Sequence, residues 1–190
     1  MPTIETARLI LRLPTYDDTD AFDEMDADPE VMRYIGTGRT LTRTKDETAE
    51  LIERIQTRWD ERGFGLLAVA SRESGEVLGW VTLAEPTFLP ELMPAVEIGW
   101  RFRRQYWGLG YATEAARPLL HHGFTVAGLD RILSIRQLEN TASGRIMEKL
   151  GLRHTHDTVV PSHGGAVAVY ALDRADYRPP AEVTDAAVRP

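Results

Sequence analysis

The sequence predicts an α+β, or mixed α/β, domain in a single piece, and three observations support that prediction. Its 190 residues suit one domain of ordinary size. Apolar residues make up 43% and charged residues 27%, a balance typical of a globular chain that buries a core. Hydrophobic periodicity indicates the order strand, helices, three strands, helix, strand, helix, two strands. We expect residues 1–178 to form this domain and residues 179–190, which have little to bury, to form a flexible tail.

Strands are predicted where apolar and polar residues alternate, or where short apolar runs lie between turn residues. They span residues 7–13, 66–72, 77–85, 95–102, 131–137, 153–160 and 166–173. Helices are predicted where apolar residues recur every three or four positions. They begin near Tyr16, span 29–36 and 44–62, begin again after Gly110, and span 142–151. Pro118 falls inside the helix after Gly110 and should kink it, because proline removes a backbone hydrogen bond.

Composition argues against several function classes. The chain has no cysteine, which removes disulfides, thiolate metal sites and a cysteine nucleophile. Its formal net charge is −7, which argues against nucleic-acid binding because phosphate is bound by basic patches. The chain lacks the run of about 18 apolar residues that a membrane span needs, and its N-terminus does not resemble a secretory signal. We therefore expect a cytoplasmic protein that binds neither nucleic acid nor membrane.

One early segment is rich in carboxylates. It contains Asp17, Asp18, Asp20, Asp23, Glu24, Asp26, Asp28 and Glu30. A solvated helix face explains most runs of this kind, and acidic residues also stabilise helix N-termini. The alternative is a surface that attracts a cationic amine substrate.

The segment QYWGLG, residues 105–110, places two glycines directly before a predicted helix. A helix N-terminus presents unpaired N–H groups and positive potential, and glycine lets an anion approach that backbone closely. The segment is not a P-loop, because Tyr111 follows Gly110 where that motif needs lysine. It is a poor dinucleotide fingerprint, because Thr113 stands where that motif needs glycine or alanine. It does match the pattern Gln-x-x-Gly-x-Gly.

Longer motifs around this segment resemble the GNAT superfamily of N-acetyltransferases. EIGWRFRRQYWGLGYATEA (97–115) is followed by ENTASGRIMEKLGL (139–152), and the opening ETARLILRLPTYDDTDAF (5–22) is also similar. The closer resemblance is to the branch of ribosomal-protein N-terminal acetyltransferases, the RimJ and RimL type, and it covers roughly residues 5–175. It implies the GNAT fold: a central, mostly antiparallel sheet of about seven strands, flanked by helices and splayed at a bulge between the fourth and fifth strands.

The resemblance implies acetyl-CoA as the cosubstrate and no metal. The diphosphate would lie on the glycine loop, and pantetheine would lie in the splayed gap against backbone groups of strand 95–102. Arg103 and Arg104 would meet the 3′-phosphate, or else they are solvated turn residues. The implied cofactor-binding residues are Ile98, Gly99, Trp100, Phe102, Arg103, Arg104, Gln105, Tyr106, Trp107, Gly108, Leu109, Gly110, Thr113, Asn140 and Ser143.

Glu97 and Ser143 are the candidate catalytic residues. An acid on a central strand has its pKa raised by burial, which suits a general base, although an ion pair with arginine is the alternative for Glu97. The resemblance places the Ser143 hydroxyl near the thioester sulfur. Many GNAT enzymes carry a proton-donating tyrosine four residues later, where this chain has Met147, so Ser143 becomes the substitute donor. Asn140 would contact pantetheine or merely cap a helix.

Without a cysteine, direct attack by the amine in a ternary complex is the simple mechanism, and a backbone N–H would polarise the acetyl carbonyl. We expect the acceptor to be a primary amine, in the first place a protein N-terminus. A small amine such as a polyamine or antibiotic is the alternative, and a non-catalytic acetyl-CoA sensor is another. His154 and His156 alternate on a predicted surface strand without a third ligand nearby, so no metal site is expected. The chain is predicted to be a monomer or a homodimer.

Overall fold

The fold is a mixed α/β layer structure built on one sheet, as seen in a computed structural model that describes residues 2–179. The sheet has eight strands in the order β1-β2-β3-β4-β5-β6-β8-β7. The strands are β1 (Thr3–Glu5), β2 (Leu9–Arg12), β3 (Leu66–Ser71), β4 (Val77–Ala84), β5 (Val96–Phe102), β6 (Arg131–Gln137), β7 (Arg153–Val159) and β8 (Ala166–Asp173). All neighbours are antiparallel except β5 and β6. Residues 180–190 of the predicted tail lie outside the described residues.

Seven of these strands lie where the sequence predicts them, and β1 is the addition. This strand has three residues and pairs with β2 across a tight turn at Thr6, whose side chain accepts a hydrogen bond from Leu9 N–H at 3.0 Å. A three-residue strand shows too little alternation to be recognised in a sequence, and here its pairing with β2 supplies the order.

Among residues 2–179, five α-helices cover the sheet, together with three short 3₁₀ segments. The helices are α1 (Thr19–Ala27), α2 (Pro29–Met32), α3 (Lys45–Arg62), α4 (Tyr111–Thr125) and α5 (Thr141–Lys149), and the 3₁₀ segments are Tyr16–Asp18, Pro90–Leu92 and Arg104–Tyr106. The prediction of a helix over 29–36 was wrong beyond Met32. Gly36 and Gly38 adopt positive φ angles of 53° and 76°, so the backbone turns where a helix would continue.

Helix α3 illustrates how local sequence sets a boundary. Thr44 and Glu47 form a capping box at its start, and Gly63 ends it in the left-handed conformation with a φ of 71°. Ile52, Ile55 and Trp59 recur at helical spacing and are all buried. This helix borders a cavity that is described below with the candidate site.

Helix α4 packs against the opposite face of the sheet and carries the main core. Its buried residues include Ala115, Ala116, Leu119, Leu120 and Phe124. Gly123 makes this close packing geometrically feasible, because a Cβ there would stand 2.8 Å from Ile132 and 3.0 Å from Leu83. The helix continues past Pro118, which is itself buried.

The pairing between β5 and β6 is short, and this feature shapes the site. The two strands pair only at Val96–Ile132 and Glu97–Leu133, after which they diverge, while β6 pairs with β8 along its full length. The strands predicted at residues 95–102 and 131–137 are β5 and β6, and the predicted splay between them is therefore confirmed. The register of β5 with its other neighbour, β4, is continuous, so the prediction of a bulge in β5 was wrong. In the part of the chain that the structure describes, no helix is both long and apolar enough to cross a membrane.

Candidate active site

The glycine loop lies between the end of β5 and the start of α4. It contains the 3₁₀ turn Arg104–Tyr106, followed by Gly108 and Gly110 with φ angles of 77° and 84°. Gly110 is the N-cap of α4, and the first helical hydrogen bond runs from Glu114 N–H to the Gly110 carbonyl at 3.0 Å. A Cβ added at Gly108 would have no neighbour within 4 Å, so this part of the loop faces open space. An anion can therefore approach the helix N-terminus here.

The loop does not present all six of its backbone N–H groups. Tyr106 N–H donates to the Arg103 carbonyl at 3.0 Å, and Trp107 N–H donates to the Arg104 carbonyl at 3.1 Å. The resemblance places Tyr106 and Trp107 among the cofactor-binding residues through their backbone N–H groups, and this was wrong in this conformation because the 3₁₀ turn uses both groups. Gln105 and Leu109 are exposed beside the two glycines. Thr113 is half-buried in the first turn of α4.

An ion pair between Arg8 and Glu114, which the sequence did not reveal, holds the glycine loop in place. The Glu114 carboxylate accepts from the Thr6 hydroxyl at 2.7 Å and from Arg8 Nε at 2.7 Å, and the Arg8 guanidinium also donates to the Leu109 carbonyl at 3.1 Å. Burial acts to raise the pKa of Glu114, but the bonds from Thr6 and Arg8 outweigh it and the net pKa is lowered. These contacts tie the loop to the β1–β2 turn, about a hundred residues away in sequence.

The two arginines after β5 have different environments. Arg103 donates to Glu24 at 2.5 Å and to Glu76 at 2.6 Å, so its guanidinium bridges α1 and the β3–β4 turn. The expectation that Arg103 meets a phosphate was wrong for this conformation, because two carboxylates already hold it. Arg104 is exposed at the start of the 3₁₀ turn and keeps that expectation as a prediction.

The gap between β5 and β6 exposes one edge of β5. The Ile98 carbonyl points toward β6, where it accepts from the Ser134 hydroxyl at 2.8 Å, and the Phe102 carbonyl accepts from the Trp107 indole at 2.8 Å. Successive residues of a strand direct their backbone groups to opposite sides, so Trp100 also points its N–H and C=O into the gap.

Gly99 therefore directs its backbone groups away from the gap, toward its partner Thr82 on β4. The expectation that its backbone meets the cosubstrate was wrong for this reason. A Cβ at Gly99 would make only an ordinary contact of 3.5 Å with Thr82, so packing does not require glycine here. Because Gly99 has no side chain, it leaves free space on the face of the sheet that also carries the Glu97 side chain.

Glu97 lies at the point where β5 and β6 part. Its carboxylate accepts a hydrogen bond from Ile135 N–H at 3.2 Å, two residues beyond Leu133, where the strand pairing ends on β6. Burial raises the pKa of Glu97 to about 8, and the hydrogen bond from Ile135 offsets only part of that rise. No arginine is among its hydrogen-bond or ion-pair partners in residues 2–179, in contrast to the alternative considered above. A carboxyl with this pKa can accept a proton from an ammonium near neutral pH.

The start of α5 contributes Asn140 and Ser143. The Asn140 side-chain oxygen accepts from Ser143 N–H at 3.1 Å, so Asn140 caps the helix and retains its amide N–H₂ for another partner. The Ser143 side chain is half-buried. Met147 is buried in the main core and could not donate a proton in any case. Gly144 sits against Arg136, so the first turn of α5 rests on the far end of β6.

A cavity of about 370 Å³ lies on the sheet face that carries Gly99 and Glu97. Thr82 and Ala84, the cross-strand partners of those two residues, line it together with Trp80. Helix α3 supplies the opposite wall, and residues of the β4–β5 loop close one end. From β5 the lining residue is Arg101, while Gly99 and Glu97 lie next to the cavity, opposite its lining residues Thr82 and Ala84.

The acidic segment is largely occupied by internal partners. Asp18 is paired with Arg12, Glu24 with Arg103, and Asp26 with both Arg43 and Arg101, while Asp28 caps α2 and Asp23 accepts from Thr48. These contacts leave the hypothesis of a surface that attracts cationic amines without support. His154 pairs with Asp157 at 2.7 Å, and residues 2–179 contain no cluster of three or more potential metal ligands.

Comparison with known proteins agrees with this geometry. The profile of the family described as "Acetyltransferase (GNAT) domain" matches residues 8–153. The uncharacterised N-acetyltransferase YnaD of Bacillus subtilis is 31% identical over 150 residues, covering 79% of this chain and 82% of YnaD. The FsC-acetyl coenzyme A-N(2)-transacetylase of Aspergillus fumigatus is 29% identical over 187 residues, covering 93% of this chain and 78% of that enzyme.

A solved structure gives the same result in three dimensions. The GNAT-family acetyltransferase from Bacillus anthracis superposes with a TM-score of 0.74 at 27% identity, covering 91% of this chain and 99% of that one. The family profile, the named relatives and the fold all point to the same chemistry. The chain therefore belongs to the GNAT family of N-acetyltransferases, enzymes that move an acetyl group from acetyl-CoA to an amine.

Proposed function

We propose that this enzyme acetylates the N-terminal amine of a protein or peptide, as expected of the RimJ and RimL type, by direct attack in a ternary complex. The observation that carries the mechanism is Glu97, a carboxyl with its pKa raised to about 8 at the point where β5 and β6 separate. An ammonium has no lone pair, so a base must remove its proton before attack, and a base is most effective when its pKa lies near the working pH.

In this proposal acetyl-CoA lies along the β5–β6 gap. The diphosphate meets the exposed N–H groups around Gly108 and Gly110 at the start of α4, where helix geometry leaves donors unpaired. The exposed Arg104 is free to turn toward the 3′-phosphate, and the Asn140 amide is available to pantetheine. Residues 1–178 would act as one acetyltransferase domain.

The edge of β5 supplies the group that stabilises the oxyanion. The Trp100 N–H points into the gap two residues beyond Ile98, whose carbonyl is already held by Ser134. A single preorganised donor of this kind contributes about 3 kcal/mol to lowering an acyl-transfer barrier. Ser143 is the proton donor to the departing thiolate in this scheme.

A small amine is the alternative acceptor, and a non-catalytic acetyl-CoA sensor is the alternative function. The cavity of about 370 Å³ beside Glu97 would accommodate a small amine as well as the first residues of a peptide. The relative named FsC-acetyl coenzyme A-N(2)-transacetylase, which is 29% identical over 93% of this chain, favours turnover over an acetyl-CoA sensor.

The proposal is tested by incubating the purified protein with acetyl-CoA and a panel of peptide N-termini, polyamines and aminoglycosides. Released thiol is measured together with the mass of the acetylated product. We expect a mass increase of one acetyl group at a peptide N-terminus, with intersecting initial-velocity lines that indicate a ternary complex. Turnover restricted to small amines would mean that the acceptor is a small amine and not a protein N-terminus. Binding of acetyl-CoA without any turnover would support the non-catalytic sensor.

A further inference from the structure

The cavity beside Glu97 has a strongly charged end. Its charged lining residues are Asp26, Arg43, Arg58, Arg62, Glu85 and Arg101. Four guanidinium groups face two carboxylates there, although the chain as a whole carries a formal net charge of −7. Arg62 is paired with Glu85 at 2.8 Å, so this pair is neutral. The remaining excess of positive charge is concentrated around Asp26.

Asp26 is shared between two arginines. Its two carboxylate oxygens accept from Arg43 and Arg101 separately, and the Asp26 side chain is only 8% exposed. The exposed Glu47 carboxylate also lies close enough to Arg43 to interact with its charge. Within the buried part of the cluster, however, the single carboxylate of Asp26 neutralises only one of the two guanidinium groups, and the excess positive charge is on the Arg101 side. Arg58, exposed on the facing side of α3, adds to it. An uncompensated buried charge is costly, which indicates that a further anion belongs here.

Arg101 supplies a second, independent observation. Its side chain is 12% exposed, and its Nε is buried without a hydrogen-bond partner among the described residues. Burial, followed by repulsion from Arg43, lowers the pKa of Arg101 to about 10, although its guanidinium is still charged at neutral pH. The central carbon of the Arg101 guanidinium also lies 5.0 Å from the centre of the Trp80 ring, which is within the range of a cation–π interaction.

The position of this cluster relative to Glu97 sets a distance. Glu97 and Arg101 share one face of β5 and are four residues apart, which corresponds to about 13 Å between their Cα atoms. The cavity wall between them includes Thr82 and Trp80, with Phe22 and Leu66 close by. The Arg101 side chain is long, so its guanidinium can lie closer to Glu97 than the Cα–Cα distance suggests. An acceptor that reaches both residues would therefore place its anionic group roughly 6–10 Å from its amine.

We propose that the acceptor is an acidic peptide N-terminus, with its amine at Glu97 and an Asp or Glu side chain at its second or third position bound by Arg101 and Arg43. This proposal rests on the proposed acetyltransferase function and names its substrate class. A carboxylate forms charge-assisted, often bidentate hydrogen bonds with guanidinium groups. A polyamine would bring positive charge to the same arginines and be repelled.

The test compares tripeptide amides that differ at one position: Ser-Glu-Ala, Ser-Gln-Ala and Ser-Arg-Ala, each with saturating acetyl-CoA. We expect kcat/KM for the Glu peptide to exceed that for the Gln peptide by about tenfold or more, with the Arg peptide poorest. A further arm compares 6-aminohexanoate with hexylamine. Preference for the amino acid without preference among the peptides would overturn the peptide assignment in favour of a small amino-carboxylate.

Variants localise the effect. Arg101→Gln and Arg43→Gln should each reduce the preference for Glu over Gln to within about threefold while leaving the KM for acetyl-CoA unchanged. Arg58→Gln, at an exposed position, serves if the buried variants fold poorly, and should also reduce the preference. Arg54→Gln removes a charge from the same helix outside this cavity and should have no effect.

Binding gives a readout that does not depend on turnover. The acetylated product peptides are titrated calorimetrically into the protein with CoA present, and the Glu product should bind about tenfold more tightly than the Gln product. Equal affinities, or equal kcat/KM values for all three peptides, would overturn this inference while leaving acetyl transfer intact. Failure to bind acetyl-CoA at all would instead overturn the proposed function, and this inference with it.

Discussion

At the scale of single residues, the environment of Glu97 determines the properties of its carboxyl, which lies where β5 and β6 begin to separate. Glu97 belongs to the last residue pair of β5 and β6, and its carboxylate accepts one backbone hydrogen bond, from Ile135, with no cationic partner among residues 2–179. Desolvation without a compensating cation raises the pKa of a carboxyl, and the proposed role of Glu97 as a base depends on this raised pKa. A paired carboxylate such as Glu114, whose pKa is lowered, would be a much weaker base at neutral pH.

The first prediction concerns activity. Glu97→Gln should lower kcat by about 10²- to 10⁴-fold, because the amide cannot accept the proton of the ammonium. In the wild-type enzyme, kcat/KM should rise with pH until Glu97 ionises at a pKa of about 8, and this limb should be missing in the variant. Measuring both proteins with one acceptor cancels the titration of the acceptor itself. Glu91→Gln, which changes an exposed acid in the neighbouring loop, is the control, and an E97Q profile identical to wild type would disprove the assignment.

The second prediction concerns stability, with the opposite sense of pH. The pKa of Glu97 is 4.5 in its ordinary state and about 8 in the folded protein, so the folded protein holds a proton that the unfolded chain has released. The stability that this proton provides is complete below pH 4.5 and is lost as pH rises through about 8. The melting temperature of wild type should therefore fall relative to that of Glu97→Gln between pH 5 and pH 9. A constant difference across this range would show that Glu97 is ionised throughout.

At the scale of elements, the loop before α4 depends on left-handed glycine. Gly108 has a φ of 77° with nothing near its missing Cβ, so no packing explains the choice of residue. The left-handed conformation costs other residues about 1–2 kcal/mol, and in the proposed complex a Cβ there would also occupy space next to the diphosphate.

The third prediction follows, with a matched control in the same chain. Gly108→Ala and Gly75→Ala should destabilise the protein by a similar amount, about 1 kcal/mol, because both glycines have positive φ and open surroundings. Only Gly108→Ala should raise the KM for acetyl-CoA, by about tenfold. Thermal melts and steady-state kinetics check the two halves of this statement. An equal rise in KM for both variants would mean that the loop has no special relation to the cosubstrate.

Most elements were predictable because their signals are local. The capping box at Thr44, the glycine after Arg62 and the alternation in residues 131–137 each lie within a few positions of the boundary that they set. The errors arose where distant partners decide. Strand β1 is ordered by pairing with β2, and residues 33–36 leave the helix as the chain crosses toward β6, where Gln137 donates to the Gly36 carbonyl at 3.2 Å.

At the scale of the whole molecule, two halves of the sheet meet only at β5 and β6. One half runs β1 to β5 and the other contains β6, β8 and β7. Among residues 2–179, the backbone ladder between β5 and β6 is limited to the pairs at Val96 and Glu97, and the side chains of Ser134 and Glu97 add one hydrogen bond each across the junction. The Arg8–Glu114 pair and the bridge from Arg103 to Glu24 and Glu76 brace the first half around the glycine loop. A cosubstrate lying in the gap would bridge the two halves, as a strand would.

The fourth prediction tests that role. Acetyl-CoA at about 100 times its Kd should stabilise the folded protein by about 2.7 kcal/mol, which raises the melting temperature by several degrees. S-acetylpantetheine, which lacks the diphosphate, should require a much higher concentration for the same shift. Gly108→Ala should weaken the effect of acetyl-CoA and leave that of S-acetylpantetheine unchanged. Equal shifts in melting temperature from both compounds at the same concentration would show that the glycine loop does not bind the diphosphate.

The sequence by itself determined the fold class, the family and the location of the glycine loop, because these depend on periodicity and on motifs whose residues are neighbours in the chain. Only the tertiary structure decided how charged side chains are partnered. It placed Arg103 on two carboxylates instead of a phosphate, turned the Gly99 backbone toward β4, and gathered Asp26, Arg43 and Arg101 at one end of a cavity. Ion pairs join residues far apart in the sequence, and long side chains can reach several partners, so the pairing is settled by packing and desolvation.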